Sequence, residues 1–350
     1  MKILFTGLQY NYYDPARGVS FEFENFYRGM QTLPGVVVVP LFFERILGVG
    51  RKQFNQELLK MVEDEKPDIV FAFMFSDELQ PKTLKKLKGL TTTIAWFSDD
   101  HWRFFNYSKR YARHFTWAVT TYSKAVEWYH RRGIKNVLRS QWGVWRQACS
   151  IPDAISLTAR QHDVAFIGGW SSPRERIISG LRRRGIEVYV RGDGWPEGKV
   201  SYSEMLEVFA TSKINLALNP APGFLNSNSL GRIFFRRSMN RIVFDFHWFA
   251  NLRSLMHRGI QQIKARHFEI PALRGFMVTS HADDLDQYFV PGKEIVVYEN
   301  IDDLAEKVRY YLAHDAERRA IAQAGYDRVV RDHTYEKRFE DLFTQTAQLS

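Results

Sequence analysis

The sequence predicts an α/β protein with two Rossmann-like domains that face a cleft, because strand-like and helix-like runs alternate along most of its 350 residues. The run DIVFAFMF (68–75) is apolar throughout, as is usual for a parallel strand covered on both faces. A chain of 350 residues also fits two domains of ordinary size. Residues 143–161 have no clean periodicity, so we predict a linker there, between domains 1–142 and 162–333.

Each element of the first domain is predicted from its local pattern. Phe23, Phe26 and Tyr27 fall on one face of a helix, and Pro81 suits the first turn of another. The predicted strands are 2–7, 36–42, 68–75, 91–97, 117–121 and 136–141, and the predicted helices are 20–32, 51–65, 79–89, 103–113 and 123–132.

The second domain repeats this alternation. Ser172 suits the N-cap of a helix and Pro173 its first position. The predicted strands are 163–169, 186–192 and 213–219, with one more within each of 266–280 and 291–312. The predicted helices are 173–185, 201–211, 302–313, 315–331 and 334–347. We expect the C-terminal helix, within 334–350, to pack back on the N-terminal domain.

An insert at 220–263 interrupts the alternation, and in it arginines interleave with aromatic residues. It is expected to form one or two helices within the C-terminal domain. Residues 220–265 carry seven basic residues and one acidic residue, a net charge of +6. Two hypotheses follow: the insert binds an anionic membrane surface or anionic glycan, or its aromatic residues mediate self-association.

The charge of the whole chain is +10, and residues 1–150 contribute +8 from 22 basic and 14 acidic residues. A basic surface favours anionic partners such as phosphates, anionic glycans or lipid headgroups. We expect no nucleic acid as partner, because no nucleic-acid-binding motif accompanies the charge.

The location of the protein is predicted from what the sequence lacks. Cys149 is the only cysteine, which excludes an intramolecular disulfide. The N-terminus MKILFTG lacks the apolar core of a signal peptide, and no run approaches the ~20 apolar residues of a membrane span. We therefore expect a cytoplasmic protein, at most peripheral at the inner face of the membrane.

A glycine turn follows the predicted strand DVAFIGG. Gly168 and Gly169 end this strand just before a predicted helix, so free backbone N–H groups and the helix dipole would favour a phosphate there. Arg174 and Arg176 would add charge-assisted hydrogen bonds. The alternative is a tight turn with surface arginines.

A second loop, RGDGW (191–195), follows the next strand. Gly192 and Asp193 would lie at the carboxyl edge of the sheet, where α/β proteins bind ligands. The backbone there could contact a nucleotide base, with Trp195 beside it. The alternative is a plain turn.

Glu269 is the strongest candidate in the second domain. A carboxylate one helix length from a sheet edge can accept hydrogen bonds from the vicinal hydroxyls of a sugar. Arg266 precedes it by one turn and could reach a phosphate or pair with Glu269. The alternative for Glu269 is a solvated carboxylate on a helix.

In the first domain, WFSDDHW (96–102) stands at the end of a predicted strand. Asp100 and His101 are the predicted catalytic residues, as base or as hydrogen-bond donor to a sugar. Two alternatives remain open: a divalent-cation site that includes Asp99, and an N-capping cluster. We predict no metal.

The order FIGG, RGDGW, KINLALN, RHFE, EIVVY, AGY and HTYEKR within 163–340 resembles the nucleotide-binding half of group 1 GT-B glycosyltransferases, and among them the CgeB-like proteins. The resemblance implies that Glu269 binds the donor ribose and that transfer is retaining and metal-independent. The sequence departs from this group at two positions. Gln261 stands where many relatives carry a second Glu, and Arg274 where a small residue is usual.

The resulting functional prediction is a glycosyltransferase, hexosyl or related. Its donor would be a nucleotide diphosphate sugar, without a tightly bound cofactor, and its acceptor a glycan, a lipid-linked molecule or a protein. The alternatives are a non-catalytic nucleotide-sugar or glycan-binding protein, a nucleic-acid binder and a sugar epimerase.

Overall fold

The computed structural model describes residues 1–151, 161–220 and 227–348. The strands in chain order are β1 Lys2–Thr6, β2 Val37–Pro40, β3 Ile69–Phe73, β4 Thr92–Phe97, β5 Trp117–Thr120, β6 Val137–Arg139, β7 His162–Ile167, β8 Tyr189–Arg191, β9 Ser212–Ala217, β10 Phe235–Ser238, β11 Arg241–Phe244, β12 Met277–Ser280 and β13 Val296–Tyr298. The α-helices are Arg45–Glu65, Pro81–Lys88, Asp100–Arg103, Lys109–Tyr111, Ser123–His130, Arg146–Cys149, Ser172–Arg182, Tyr202–Thr211, Ser227–Phe234, Trp248–His257, Arg266–Ala272, Leu285–Tyr288, Ile301–Ala313, Asp315–Asp332 and Tyr335–Gln348. Phe23–Arg28 and Phe104–Ser108 have the wider π geometry.

Packing divides the chain into two compact units. The first unit is Met1–Gln141, Phe224–Arg258 and Glu340–Ser350, and the second is Trp142–Gly223 and Gly259–Phe339, in each case as far as the structure describes them. The sequence analysis assigns the insert 220–263 to the C-terminal domain, whereas the described residues 227–258 pack with the first unit. Part of the predicted linker, 152–160, lies outside the described residues.

The first unit is built on a six-stranded parallel sheet in the order β2-β1-β3-β4-β5-β6. Its centre is apolar, and β3 is buried along its whole length. Because the chain winds outward in both directions from β1 and β3, the connections after these two strands leave toward opposite faces of the sheet. They open a crevice beyond the carboxyl ends, where α/β proteins bind ligands. The segments that follow β1 and β3 are therefore placed to form a site.

The second unit repeats this plan with five parallel strands in the order β13-β12-β9-β7-β8. Here the chain winds outward from β7 and β9, and the crevice lies beyond their carboxyl ends. Helices Ser172–Arg182, Ile301–Ala313 and Asp315–Asp332 contribute to the core around β7, β9 and β12. The predicted α/β fold with two Rossmann-like units is confirmed.

Two predictions of secondary structure need correction. The predicted helix 103–113 is divided into short α, π and 3₁₀ segments. The insert, expected to be one or two helices, contains the antiparallel hairpin β10–β11 between two helices. Its two-residue turn needs the left-handed backbone of Met239 (φ 52°), and most of its side chains are exposed or half-buried. The hairpin therefore lacks the inward and outward alternation by which strands are usually detected.

Within the described part of the chain, no helix combines the length and the apolar character that a membrane span requires.

Candidate functional site

In the second unit, Arg174 joins the ends of the two central strands. Its guanidinium donates to the carbonyl of Gly169 after β7 (2.7 Å) and to that of Leu218 after β9 (3.2 Å). The helix that carries Arg174 is capped by Ser171, one residue before the predicted cap. Desolvation, and then the positive charge of Arg266, lower the pKa of Arg174. Two arginines therefore lie close together at the crevice, while Arg176 is exposed on the same helix as Arg174.

The turns after β7 and β8 pack backbone against backbone. Gly192 has a φ of 146°, and a Cβ there would lie 2.1 Å from the carbonyl oxygen of Gly168. The same oxygen accepts a hydrogen bond from the indole of Trp195 (2.9 Å). Trp195 is 9% exposed, so it braces the turn rather than lying open beside a base. The Asp193 carboxylate is solvent-exposed and pairs with Lys199 at 3.3 Å.

Glu269 is buried, with 1% of its surface exposed. Arg266 donates to its Oε2, while its Oε1 has no hydrogen-bond partner among the described residues. Burying a charged oxygen without a partner costs about 1–3 kcal/mol or more. The alternative of a solvated helix carboxylate is therefore excluded, and a ligand hydroxyl that reached this buried oxygen would remove the cost.

Two residues anchor the helix that carries Glu269, and the sequence analysis missed both of them. The Nε2 of His267 lies within hydrogen-bond distance of the hydroxyl of Thr279 on β12 (3.1 Å), and this hydroxyl donates to the carbonyl of Ala217 on β9 (3.0 Å). Burial lowers the pKa of His267 to about 4, so its ring is neutral at pH 7. The signal for His267 is weak in the sequence, because an isolated histidine on a helix has many uses.

The turn after this helix requires a glycine at position 275 and holds Arg274 in an unusual backbone conformation. A Cβ on Gly275 would lie 2.8 Å from the carbonyl of Ile270, so the chain passes too closely for any side chain. Arg274 has a φ of 49°, in the left-handed region that favours glycine. Its guanidinium lies 4.3 Å from the ring centroid of Tyr326, a cation–π contact that offsets part of this strain.

In the first unit, the two predicted catalytic residues are covered by protein. Asp100 is fully buried and accepts a hydrogen bond from the Tyr129 hydroxyl (2.9 Å), and burial raises its pKa to about 6. His101 is buried as well. From the same segment, Asp99 and Trp102 reach a cavity of about 390 Å³. The catalytic role of Asp100 and His101 stays a prediction.

The two alternatives for this segment can be compared with the geometry. Asp99 occupies the N-cap position of Asp100–Arg103, but its side chain makes no capping hydrogen bond. Among the side chains that the structure describes, no group of three or more His, Cys, Asp and Glu residues is arranged to hold a metal ion.

Comparison with known proteins identifies the fold. Residues 174–344 match a family model described as glycosyl transferase-like. An α-glucosyltransferase in complex with UDP and a 13-mer DNA is similar at 11% identity and a TM-score of 0.64, covering 99% of this chain and 100% of that one. Anabaena HepE in complex with UDP is similar at 9% and 0.58, covering 99% and 100%.

A lipopolysaccharide outer core galactosyltransferase, WaaB, is also similar, at 12% identity and a TM-score of 0.54, with 99% of each chain covered. A search of curated protein sequences found no match. At such low identities the similarity concerns the fold alone, and this chain has the GT-B fold of glycosyltransferases.

Proposed function

We propose that this protein is a glycosyltransferase whose donor is a nucleotide diphosphate sugar. The GT-B fold and the family match over 174–344 support the class of enzyme. The observation that carries the proposal is Glu269, a buried carboxylate with one oxygen that has no hydrogen-bond partner among the described residues. Arg266 and Arg174 provide positive charge at the same place.

In this proposal each part of the donor has its own contacts. The diphosphate lies at the Gly168–Gly169 turn with Arg174 and Arg176, and the base lies near Gly192 and Asp193. Positive charge at this edge would stabilise the nucleoside diphosphate as it leaves.

The ribose hydroxyls would replace Arg266 as the hydrogen-bond partner of Glu269. Arg266 covers the carboxylate now, but a third of its side chain is exposed, so it can turn toward a phosphate oxygen. Oε1 and Oε2 of Glu269 would then accept hydrogen bonds from the two ribose hydroxyls.

Several finer features rest on the sequence resemblance: membership of the CgeB-like group, hexosyl transfer, retention of configuration and independence of metal. The acceptor is proposed to be a glycan, a lipid-linked molecule or a protein. One similar structure contains DNA with UDP, but the motifs of this chain give no reason to extend that partner to it.

A nucleotide panel tests the proposal. We expect that one of UDP, GDP, TDP, ADP and CMP, or one of their common sugars, raises the thermal midpoint of unfolding, since a ligand at 100 times its Kd adds about 2.7 kcal/mol. Release of nucleotide from that sugar donor in the presence of acceptor would complete the test. Stabilisation by none of them would contradict a donor site, binding without release would favour a non-catalytic protein, and turnover without acceptor would favour an epimerase.

The insert has an exposed apolar surface that supports a membrane role. Phe246 is 81% exposed and Phe249 91%, and Phe249, Leu252 and Met256 recur on one face of helix Trp248–His257. Monomeric proteins seldom expose several large apolar side chains together without a partner.

We propose a lipid surface as the partner rather than a second copy of the chain. In a two-fold dimer through this surface, the exposed Arg241 and Arg253 of the insert would put like charge on both sides of the interface. An anionic leaflet offers the opposite charge together with an apolar interior.

Replacing Phe246 and Phe249 with serine should weaken binding to vesicles that contain anionic lipid by about tenfold or more, because each buried phenyl ring contributes about 1.5–3 kcal/mol. Co-flotation with vesicles measures this, and Leu90→Ser, an exposed leucine elsewhere in the first unit, is the control. Unchanged flotation, or a dimer that the double substitution dissociates, would contradict the lipid hypothesis.

A further inference from the structure

The cavity of the first unit lies at the crevice of its sheet. It has a volume of about 390 Å³, within the usual range of small-molecule sites. Residues that follow β1, β3 and β4 form one side, among them Tyr12, Phe75 and Trp102. The insert forms the other side, so this cavity depends on a segment that is distant in sequence.

The insert is held in place by hydrogen bonds to the segment after β3. The hydroxyl of Ser76 accepts from the backbone N–H of Met239 (2.8 Å) and donates to the buried carboxylate of Glu78 (2.7 Å). Ser238 donates to Asp77 (2.8 Å). These hydrogen bonds fix both walls of the cavity within the folded first unit.

Arginines dominate the walls of this cavity. Six of them line it, against three aspartates, and they are Arg103, Arg110, Arg232, Arg236, Arg237 and Arg258. Asp77 is already paired with Arg236 (3.0 Å), and Asp245 is engaged by Asn251 (3.1 Å) and His247 (2.7 Å). The wall thus carries an excess of positive charge.

Three of these arginines make no direct ion pair. For Arg110, Arg232 and Arg237, the described ranges contain no carboxylate oxygen within ion-pair distance. Burial lowers the pKa of Arg110, although the charge of Asp245 raises it in part. Burial also lowers the pKa of Arg232, with a smaller contribution from the positive charges of Arg103 and Arg237. Removing six cations from water beside only three carboxylates is costly, so an anion entering the cavity would be favoured.

Aromatic rings stand beside these cations. The guanidinium of Arg237 lies 4.8 Å from the ring centroid of Tyr12, and that of Arg232 lies 6.0 Å from that of Trp102. Tyr12 and Tyr13 both have left-handed backbones, with φ of 58° and 66°, and the Tyr13 hydroxyl donates to buried Glu78. Residues with such strained backbone conformations cluster at active sites and ligand-binding sites.

We propose that this cavity binds the acceptor, and that the acceptor is a sugar carrying a phosphate or carboxylate group. Arg232, Arg237 and Arg110 pair with the anion, and Tyr12 and Trp102 pack against the sugar ring. The role of the bound sugar as acceptor rests on the proposed glycosyltransferase function, whereas the selectivity for an anionic sugar rests on this cavity alone.

Ligand binding to the full chain tests the proposal. The probes are glucose 6-phosphate, glucuronate, inorganic phosphate and neutral glucose, measured by calorimetry. We expect an anionic sugar to bind, neutral glucose to bind at least about tenfold more weakly, and Arg232→Gln or Arg237→Gln to weaken the anionic sugar by about tenfold or more. Arg241→Gln is the matched control, since Arg241 lies on the same hairpin but is exposed and outside the cavity.

Several results would overturn the proposal: no binding of either anionic sugar, equal binding of glucose, equal binding of inorganic phosphate alone, or an equal loss in Arg241→Gln. The nucleotide panel separates this from the proposed function. If an anionic sugar binds but no nucleotide does, the glycosyltransferase function fails and the anionic site stands. If a nucleotide stabilises the three arginine variants but no anionic sugar binds the wild type, the anionic site fails and the glycosyltransferase function stands.

Discussion

Glu269→Gln is expected to remove about half or more of the stabilisation that the donor nucleotide gives to the wild-type protein. Glutamine keeps the shape of the side chain but presents only one acceptor oxygen and no charge. A hydrogen bond to a charged group contributes about 1.5–3 kcal/mol, so its loss should raise the Kd about tenfold to a hundredfold. Calorimetric titration with the nucleotide selected in the panel measures the change.

The 2′-deoxy form of the same nucleotide makes this test specific. In the wild type, the deoxy ligand should bind more weakly because it lacks one of the hydroxyls proposed to contact Glu269. In Glu269→Gln, the difference between the two ligands should be much smaller, as in a double-mutant cycle. Glu294→Gln is a control, because Glu294 accepts a hydrogen bond from the backbone of Val290 in a loop (2.8 Å).

A different result would assign Glu269 to stability alone. If Glu269→Gln lowers the midpoint of unfolding but leaves the Kd of both ligands unchanged, Glu269 serves only as the partner of Arg266. The ribose would then bind elsewhere, and the observation that carries the proposed function would no longer support it.

Gly192→Ala is expected to reduce the free energy of unfolding by about 3 kcal/mol or more, combining overpacking with backbone strain. The added Cβ would lie 2.1 Å from the Gly168 carbonyl oxygen, so the turns after β7 and β8 would have to separate. Urea unfolding measures the loss. Because Gly168 belongs to the proposed diphosphate site, nucleotide binding should weaken as well.

Gly198→Ala is the matched control for this substitution. Gly198 lies in the same loop and also has a positive φ, of 74°, but a Cβ there would meet no atom within 4 Å. It should therefore cost only about 1 kcal/mol, the strain of a left-handed alanine. Equal losses in the two variants would show that backbone strain, rather than the contact with Gly168, makes glycine necessary at position 192.

The candidate residues of the second unit were the more predictable part of the site. Gly168, Gly169 and Arg174 follow one another at a strand end and a helix start, and such local order is visible in the sequence. The pairing of Arg266 with Glu269 was one of two possibilities raised from their spacing. The burial of Glu269 could not be predicted, because it depends on helices and strands that pack around it.

The candidate residues of the first unit were less predictable. Asp99 and Asp100 are adjacent and chemically alike, and the sequence offers no means of deciding which one faces a cavity. In the structure Tyr129 binds Asp100 in the interior, and Asp99 lines the cavity instead. That choice depends on how helix Ser123–His130 packs against the segment after β4.

The sequence by itself determined the α/β class, the two parallel sheets and the order of their elements, because apolar runs, caps and turns act over a few residues. Only the tertiary structure decided where the insert lies, that it contains a hairpin, and that its arginines face a cavity with Tyr12 and Trp102. The contacts responsible, such as Ser238 with Asp77, join residues more than a hundred positions apart. No local pattern encodes contacts of that kind, because they form only when the whole unit has folded.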